Sequence, residues 1–376
     1  MYNPVGGLEG QSLTYAVFLC EDGSKPRKVD IRVETILARG LRTACCVAAA
    51  FSLLAAPAAR AANISYSFTT LDNQNDPTFN QLLGINDAGT IAGYFGAGTP
   101  GHPNQGYTIA PPYSQASYTN ENFPGSSQTQ VTGLNGLSTP TTVGFWADAA
   151  GDNFGFVDQS GTFTSITDPN TPVGTPFTQL LSVNNSNLAA GFYADSAGNG
   201  QGFTYNISTM QFTSIMYPGA TSTTVTGVNN SDLIIGFYTD STGTHGFLYN
   251  GTTFTSLNDP NGSNTMFFGL NNTGEAVGNF TDALGNSDGF VYNYMSNTWQ
   301  TVNDPLASQT PAFMVAGTTI NGLNDQGDLV GFYSDGTNVD GFLATPAVAT
   351  PEPVSLFLAS AGLLAFAFWK RRLSRA

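Results

Sequence analysis

The sequence predicts an all-β repeat protein, a six-bladed β-propeller-like module, with an open β-solenoid as the alternative. Three observations predict it. A Gly-x-Asn landmark recurs at Gly84/Asn86, Gly133/Asn135, Gly227/Asn229, Gly269/Asn271 and Gly322/Asn324, with Ser182/Asn184 as the third copy. The steps between these asparagines are 49, 49, 45, 42 and 53 residues, and a period of that length marks a repeat architecture. Each copy holds four short runs rich in Val, Ile, Phe, Tyr and Thr, separated by Asn, Asp, Gly, Ser and Pro. Such runs read as strands joined by hairpins. Finally, the last copy stops at Gly341-Phe342-Leu343 without its closing strand, and a spare one, Tyr66–Asp72, precedes the first copy. Pairing the two would close a ring, and six units suit closure, since propellers have about 4–8 blades.

Within a copy the order is fixed. The landmark is followed by a turn and an apolar run ending in glycine: Gly93, Gly144, Gly191, Gly236, Gly278 and Gly331. Aromatics come next and, in five copies, an aspartate: Asp148, Asp195, Asp240, Asp282 and Asp335. A glycine–aromatic pair follows, such as Gly246-Phe247, and the copy ends in a strand running into proline, such as Phe254–Pro260. Trp146 and Trp299 stand in for a Tyr and a Phe of other copies, so both read as core.

Residues 1–36 show no clear pattern and read as an extension of doubtful status, with translation expected to begin near Val33; an unusually long leader is the alternative. From Leu37 to Ala61 the text is a secretion signal. Arg39 and Arg42 precede the apolar run Ala44–Ala56, and Ala59-Arg60-Ala61 is a small-x-small cleavage site. Cleavage is expected after Ala61. Cys20, Cys45 and Cys46 all lie before that point, so the mature chain has no disulfide or thiolate chemistry.

From Ala62 to Thr350 there are 20 Asp plus Glu and no Lys or Arg. A surface of this kind repels phosphates and lacks the cations that bind nucleic acid or anionic lipid. Its stability must come from sheet packing and hydrogen bonds.

The repeat module is bounded at about Thr345, and 346–350 is a short linker. Then come Pro351-Glu352-Pro353, the apolar run Val354–Trp369 and Lys370-Arg371-Arg372. As a helix the run would measure about 24 Å, a little short of a hydrocarbon core of about 30 Å, and its basic end would stay cytoplasmic. This tail, 351–376, resembles the PEP-CTERM sorting signal that an exosortase recognises. The resemblance implies transient anchoring by a transmembrane helix, cleavage near the triplet, and delivery to the cell surface or the polysaccharide matrix. The repeats, through Gly227-Val228-Asn229-Asn230, Ile235-Gly236-Phe237-Tyr238 and His245-Gly246-Phe247-Leu248-Tyr249, resemble those of HAF-family extracellular repeat proteins. That likeness implies location and architecture, with no activity to carry over.

Chemistry is sparse. The module's histidines are His102, in a turn, and His245, ahead of a strand, and His recurs in no other copy. Neither G-x-S-x-G nor H-E-x-x-H occurs. Paired carboxylates could serve glycoside hydrolysis. The regularly placed aspartates, however, occupy equivalent positions, and no singular acid stands out; the glutamates are Glu121 and Glu275, the latter in an exposed-looking turn. The loops around Asp148, Asp195, Asp240, Asp282 and Asp335 crowd oxygens of the kind calcium prefers. The competing reading is that Asp opens and Gly closes a hairpin turn. The landmark asparagines are expected to cap their own turns.

The sequence therefore predicts a non-enzymatic, exported scaffold or adhesin of the cell surface or extracellular matrix. Its expected partners are an exosortase-like enzyme, matrix polysaccharide or matrix proteins, and the membrane through its tail. A carbohydrate- or calcium-binding module is the alternative, and a polysaccharide hydrolase the third reading. No cofactor is required, calcium being the candidate.

Overall fold

A computed structural model of the chain describes residues 13–19, 27–33, 63–313 and 315–347. The leader cleavage site and the whole sorting tail, including Pro351–Pro353 and Lys370–Arg372, lie outside them. Among the described residues no helix is long and apolar enough to cross a membrane. In the first of two compact units, Met1–Ala62, β1 (Leu13–Leu19) and β2 (Arg27–Val33) pair as an antiparallel hairpin.

The second unit is a closed six-bladed propeller of four-stranded antiparallel sheets. It opens with β3 (Tyr66–Thr70). Blade 1 is β4 (Asn80–Ile85), β5 (Ile91–Phe95), β6 (Gln105–Ile109) and β7 (Tyr118–Asn120). Blade 2 is β8 (Gln128–Leu134), β9 (Thr141–Ala147), β10 (Asn153–Gln159) and β11 (Thr162–Ile166). Blade 3 is β12 (Thr178–Val183), β13 (Leu188–Ala194), β14 (Gly200–Asn206) and β15 (Gln211–Ser214). Blade 4 is β16 (Ser222–Val228), β17 (Ile234–Asp240), β18 (Gly243–Tyr249) and β19 (Phe254–Leu257). Blade 5 is β20 (Gly262–Leu270), β21 (Glu275–Asp282), β22 (Ser287–Asn293) and β23 (Thr298–Thr301). Blade 6 is β24 (Thr318–Leu323), β25 (Leu329–Ser334) and β26 (Val339–Pro346), and β3 supplies its fourth strand.

That closure is the one the sequence predicted. Thr70 pairs with Phe342 and Tyr66 with Pro346, so the edge that β26 would otherwise expose is covered. The open solenoid is excluded.

The repeated glycines mark backbone contact. In every blade the innermost strand carries a register shift beside its landmark residue, as between Leu82 and Gly84. There the innermost strands of neighbouring blades nearly touch: a Cβ on Gly322 would lie 3.0 Å from the Cα of Gly84. The glycine of the second strand is needed because a Cβ on Gly144 would run into the Gln130 carbonyl oxygen. Each glycine–aromatic pair then sends one ring into the core, with Tyr107, Phe156, Phe203, Phe247, Phe290 and Phe342 all fully buried. Trp146 stacks on Phe123 at 4.3 Å, and Trp299 packs on Tyr292 at the same distance.

A second repeated device ties blade to blade. As each outer strand ends, a backbone N–H donates to a side chain opening the next innermost strand: Asp168 to Thr178 Oγ1 at 3.1 Å, Asp259 to Thr265 Oγ1 at 2.8 Å, and Asp304 to Thr318 Oγ1 at 3.1 Å. These threonines are completely buried. The Asp–Pro ends of the repeats are therefore linkers, with the aspartate capping its own turn.

Candidate functional site

Antiparallel strands place the landmark turns at one end of the central channel, and the aspartate turns with the blade-to-blade links at the other. The two ends differ sharply.

At the narrow end the landmark asparagines form a closed circuit. Each Oδ1 accepts backbone N–H groups of its own turn, as Asn229 does from Ser231 and Leu233 at 3.0 Å. The expected cap is present. Each Nδ2 then donates to the backbone carbonyl of the next landmark asparagine. The chain runs Asn86 to Asn135 (3.1 Å), to Asn184 (3.4 Å), to Asn229 (3.0 Å), to Asn271 (3.2 Å), to Asn324 (3.2 Å) and back to Asn86 (3.4 Å). The residues that follow build an outer circuit of backbone N–H to side-chain oxygen: Gly136 to Asn185, Asn185 to Asn230, Asn230 to Asn272, Asn272 to Asp325, and Asp325 to Asp87. Its sixth link is missing because Gly136 offers no side chain to Asp87. Only about 110 Å³ of cavity remains among these rings.

At the wide end lies a vestibule of about 620 Å³. Strand register explains its lining. Residues of the first and second strands are paired at one level: Gln81 with Tyr94, Gln130 with Phe145, Gln179 with Phe192, Thr224 with Phe237, Met266 with Asn279, and Thr319 with Phe332; all but Tyr94 and Met266 line the cavity. No residue of its wall is charged. The Gln81 amide accepts from the Tyr94 hydroxyl at 2.8 Å. Among the described residues, the amides of Gln130 and Gln179 have no hydrogen-bond partner. Asn279 donates to Ser287 and Thr319, but its buried Oδ1 is unpartnered. Where the repeat step is longest, the connection 302–317 crosses to the rim and adds Val315 and Ala316. It is held there by Gln309, which both accepts from and donates to the Ser287 backbone. A side recess of about 170 Å³ shares Gln130 and Phe145 with the vestibule and includes Asn104, whose buried Oδ1 is also unpartnered.

The five candidate calcium aspartates sit one to a blade, each spent on its own turn. Asp148 accepts from the N–H groups of Ala150 and Asp152, Asp195 from Ala197 and Asn199, and Asp282 from Leu284 and Asn286. Asp240 accepts from Thr242, and Asp335 from Thr337 and Asn338. Backbone donors hold Asp195, Asp282 and Asp335 below the usual carboxylate range, and the Thr242 hydroxyl does so for Asp240. Among the described residues no group of three or more His, Cys, Asp or Glu is placed to hold a metal ion. His102 contacts Asp76 at 2.6 Å, and His245, inside β18, contacts Thr242 and Asn258. The two histidines belong to different blades.

One reading from the sequence needs correction. A singular acidic pair does exist, across the interface of blades 1 and 2. Glu121 occupies the position held elsewhere by Leu71, Ile166, Ile215, Leu257 and Val302, as the shared hydrogen bond to the glycine of the glycine–aromatic pair shows. Asp158 stands where other blades have Ile109, Tyr205, Tyr249, Tyr292 and Ala344. Burial first, and then the facing Asp158 carboxylate, push Glu121 up to about 7. Its Oε1 accepts from Thr108 at 3.4 Å, while Asp158 Oδ1 and Thr142 Oγ1 are buried without partners. Glu275 is not an exposed turn residue either: it opens β21 half-buried, and its carboxylate accepts from Asn271.

No protein-family model matches the sequence, and no curated protein does. The fold is similar to that of TolB from Acinetobacter baumannii, with 13% identity, a TM-score of 0.43, and coverage of 69% of this chain and 63% of that one. It is also similar to a Trypanosoma rangeli sialidase, with 8% identity, a TM-score of 0.46, and coverage of 74% and 59%. The chain thus spans under two thirds of the length of either protein. What the topology defines is the class: an all-β, six-bladed propeller.

Proposed function

We propose that this chain is a non-catalytic binding scaffold, exported through the leader at 37–61 and sorted by an exosortase-like system to the cell surface or extracellular matrix. The observation that carries the binding part is the vestibule. The module has 20 acidic residues and no Lys or Arg, yet the wall of the vestibule has no charge. Its size lies within the roughly 300–1,000 Å³ of small-ligand sites, which are mostly apolar with a few placed polar groups. The location rests on the leader and on the tail's PEP triplet, apolar run and terminal arginines. The acidic pair of Glu121 and Asp158 is set in a blade interface away from this cavity, so a structural role suits it better than hydrolysis.

The test is saturable binding of the purified full chain to its producing organism's extracellular polysaccharide, with and without calcium. Binding in either condition supports the reading. Its absence in both, or release of reducing ends by the chain, overturns it.

A further inference from the structure

The geometry points to a neutral saccharide terminus as the occupant of the vestibule, an assignment that rests on the binding reading above. The wall selects by charge. A cation would find no carboxylate there, and an anion would have to cross the field of a module carrying 20 acids and no Lys or Arg. An uncharged ligand meets neither obstacle.

The wall also selects by polarity. Gln130 and Gln179 present primary amides, each with one acceptor and two N–H donors, and neither has a hydrogen-bond partner among the described residues. Stripping water from these amides without replacing its hydrogen bonds is costly, so a ligand bearing hydroxyls is favoured over a hydrocarbon of equal size. The half-buried rings of Phe145 and Phe192, each paired across the strands with one of these glutamines, line the same wall. Vicinal hydroxyls match the paired donor and acceptor of an amide, and the C–H face of a pyranose packs against a phenyl ring.

The site has a direction. The asparagine circuit blocks the narrow end, so the ligand enters from the wide face, and the space accepts a chain end. The recess at Asn104 continues outward over Gln130 and Phe145, lined by the polar side chains of Ser127, Gln128 and Asn153. It is the place for the next sugar unit. Asymmetry comes from the fifth blade, where Asn279 replaces the phenylalanine of its neighbours, and from the strap that carries Val315 and Ala316. The ring of near-equivalent blades thereby becomes a single site.

The experiment is calorimetric titration of the full chain with gluco-, manno- and galacto-configured neutral tetrasaccharides, with tetragalacturonate as the anionic comparator. One neutral tetrasaccharide is expected to bind one-to-one, with affinity insensitive to salt. Gln130→Ala and Gln179→Ala should each weaken it about three- to tenfold, the value of one hydrogen bond, without lowering Tm, since neither amide has a partner among the described residues. Tetragalacturonate binding equally well, unchanged affinity in both variants, or failure of all neutral members would overturn the assignment. The same chains are assayed in parallel on native matrix. Matrix binding that survives the Gln130→Ala/Gln179→Ala double change overturns the vestibule assignment and leaves the scaffold reading standing. No matrix binding by the unaltered chain overturns that reading itself.

Discussion

Replacing Glu121 by Gln should remove one titration from the folding equilibrium between pH 5 and 8. In the folded chain Glu121 holds its proton up to about 7, against about 4.3 for a free glutamate. Between these values the native state binds a proton that the unfolded state has released, so stability falls as pH rises. The contribution is complete below about pH 4 and lost once pH passes 7. The full shift would be worth about 3.7 kcal/mol. Glu121 is only part-buried, and solvent screening reduces the figure to about 2 kcal/mol. Asp72, raised to about 7 by burial and nearby aspartates, and Asp340, raised to about 6 by burial and Asp335, act in the same direction. Both are present in either protein and cancel in the difference. Urea unfolding at pH 5, 6.5 and 8 measures it: the original chain should lose about 1 kcal/mol more than Glu121→Gln over that range, the rest of the contribution being lost below pH 5. Installing the residues of other interfaces, Glu121→Leu with Asp158→Ile, should raise stability at pH 8 by about 1–4 kcal/mol. Parallel pH curves for the original chain and Glu121→Gln would refute the reasoning.

Three further outcomes follow from the same geometry. Asn229→Ala strands the N–H groups of Ser231 and Leu233 and the carbonyl of Asn271, so chemical denaturation should show a loss of about 3 kcal/mol. Gly136→Asn supplies the missing acceptor for the Asp87 N–H and completes the outer circuit; a gain of about 0.5–1 kcal/mol is expected by the same method. With 20 acids and no Lys or Arg, the module repels itself, so Tm measured by calorimetry should rise between about 10 and 150 mM NaCl, as the Debye length falls from about 30 to about 8 Å.

Much of this architecture was legible because a repeat repeats its reasons. The landmark glycines, the second-strand glycines and the buried aromatics each solve one packing problem six times, and the spare strand Tyr66–Thr70 announces closure. The aspartate turns were equally plain, since Asx chemistry is local. What escaped was everything that depends on two copies meeting. The asparagine circuit joins residues 42 to 53 positions apart, and Asn324 to Asn86 across the seam; a single copy shows only the cap. Glu121 is ordinary within its own copy and singular only across the six blades, where Leu, Ile and Val fill its position. Asn279 is legible in the sequence, since it follows Gly278 where Tyr94, Phe145, Phe192, Phe237 and Phe332 follow the equivalent glycines; the hairpin before Glu121 differs in length from the others, so only strand pairing gives that position.

The charge pattern links these parts. A propeller without Lys or Arg cannot pair a buried carboxylate with either, and among the described residues its imidazole–carboxylate contacts are those of His102 with Asp76 and His245 with Asp240. Asp168 and Asp304 instead cap turns, and Glu121 retains its proton. The interior junctions fall to neutral amides and hydroxyls, whose hydrogen bonds do not depend on pH or salt. The narrow end closes with asparagine, the blade links with threonine, and the vestibule presents glutamine. A cavity built under that rule is uncharged by construction, and the ligand that suits it is one whose polarity resides in hydroxyl groups.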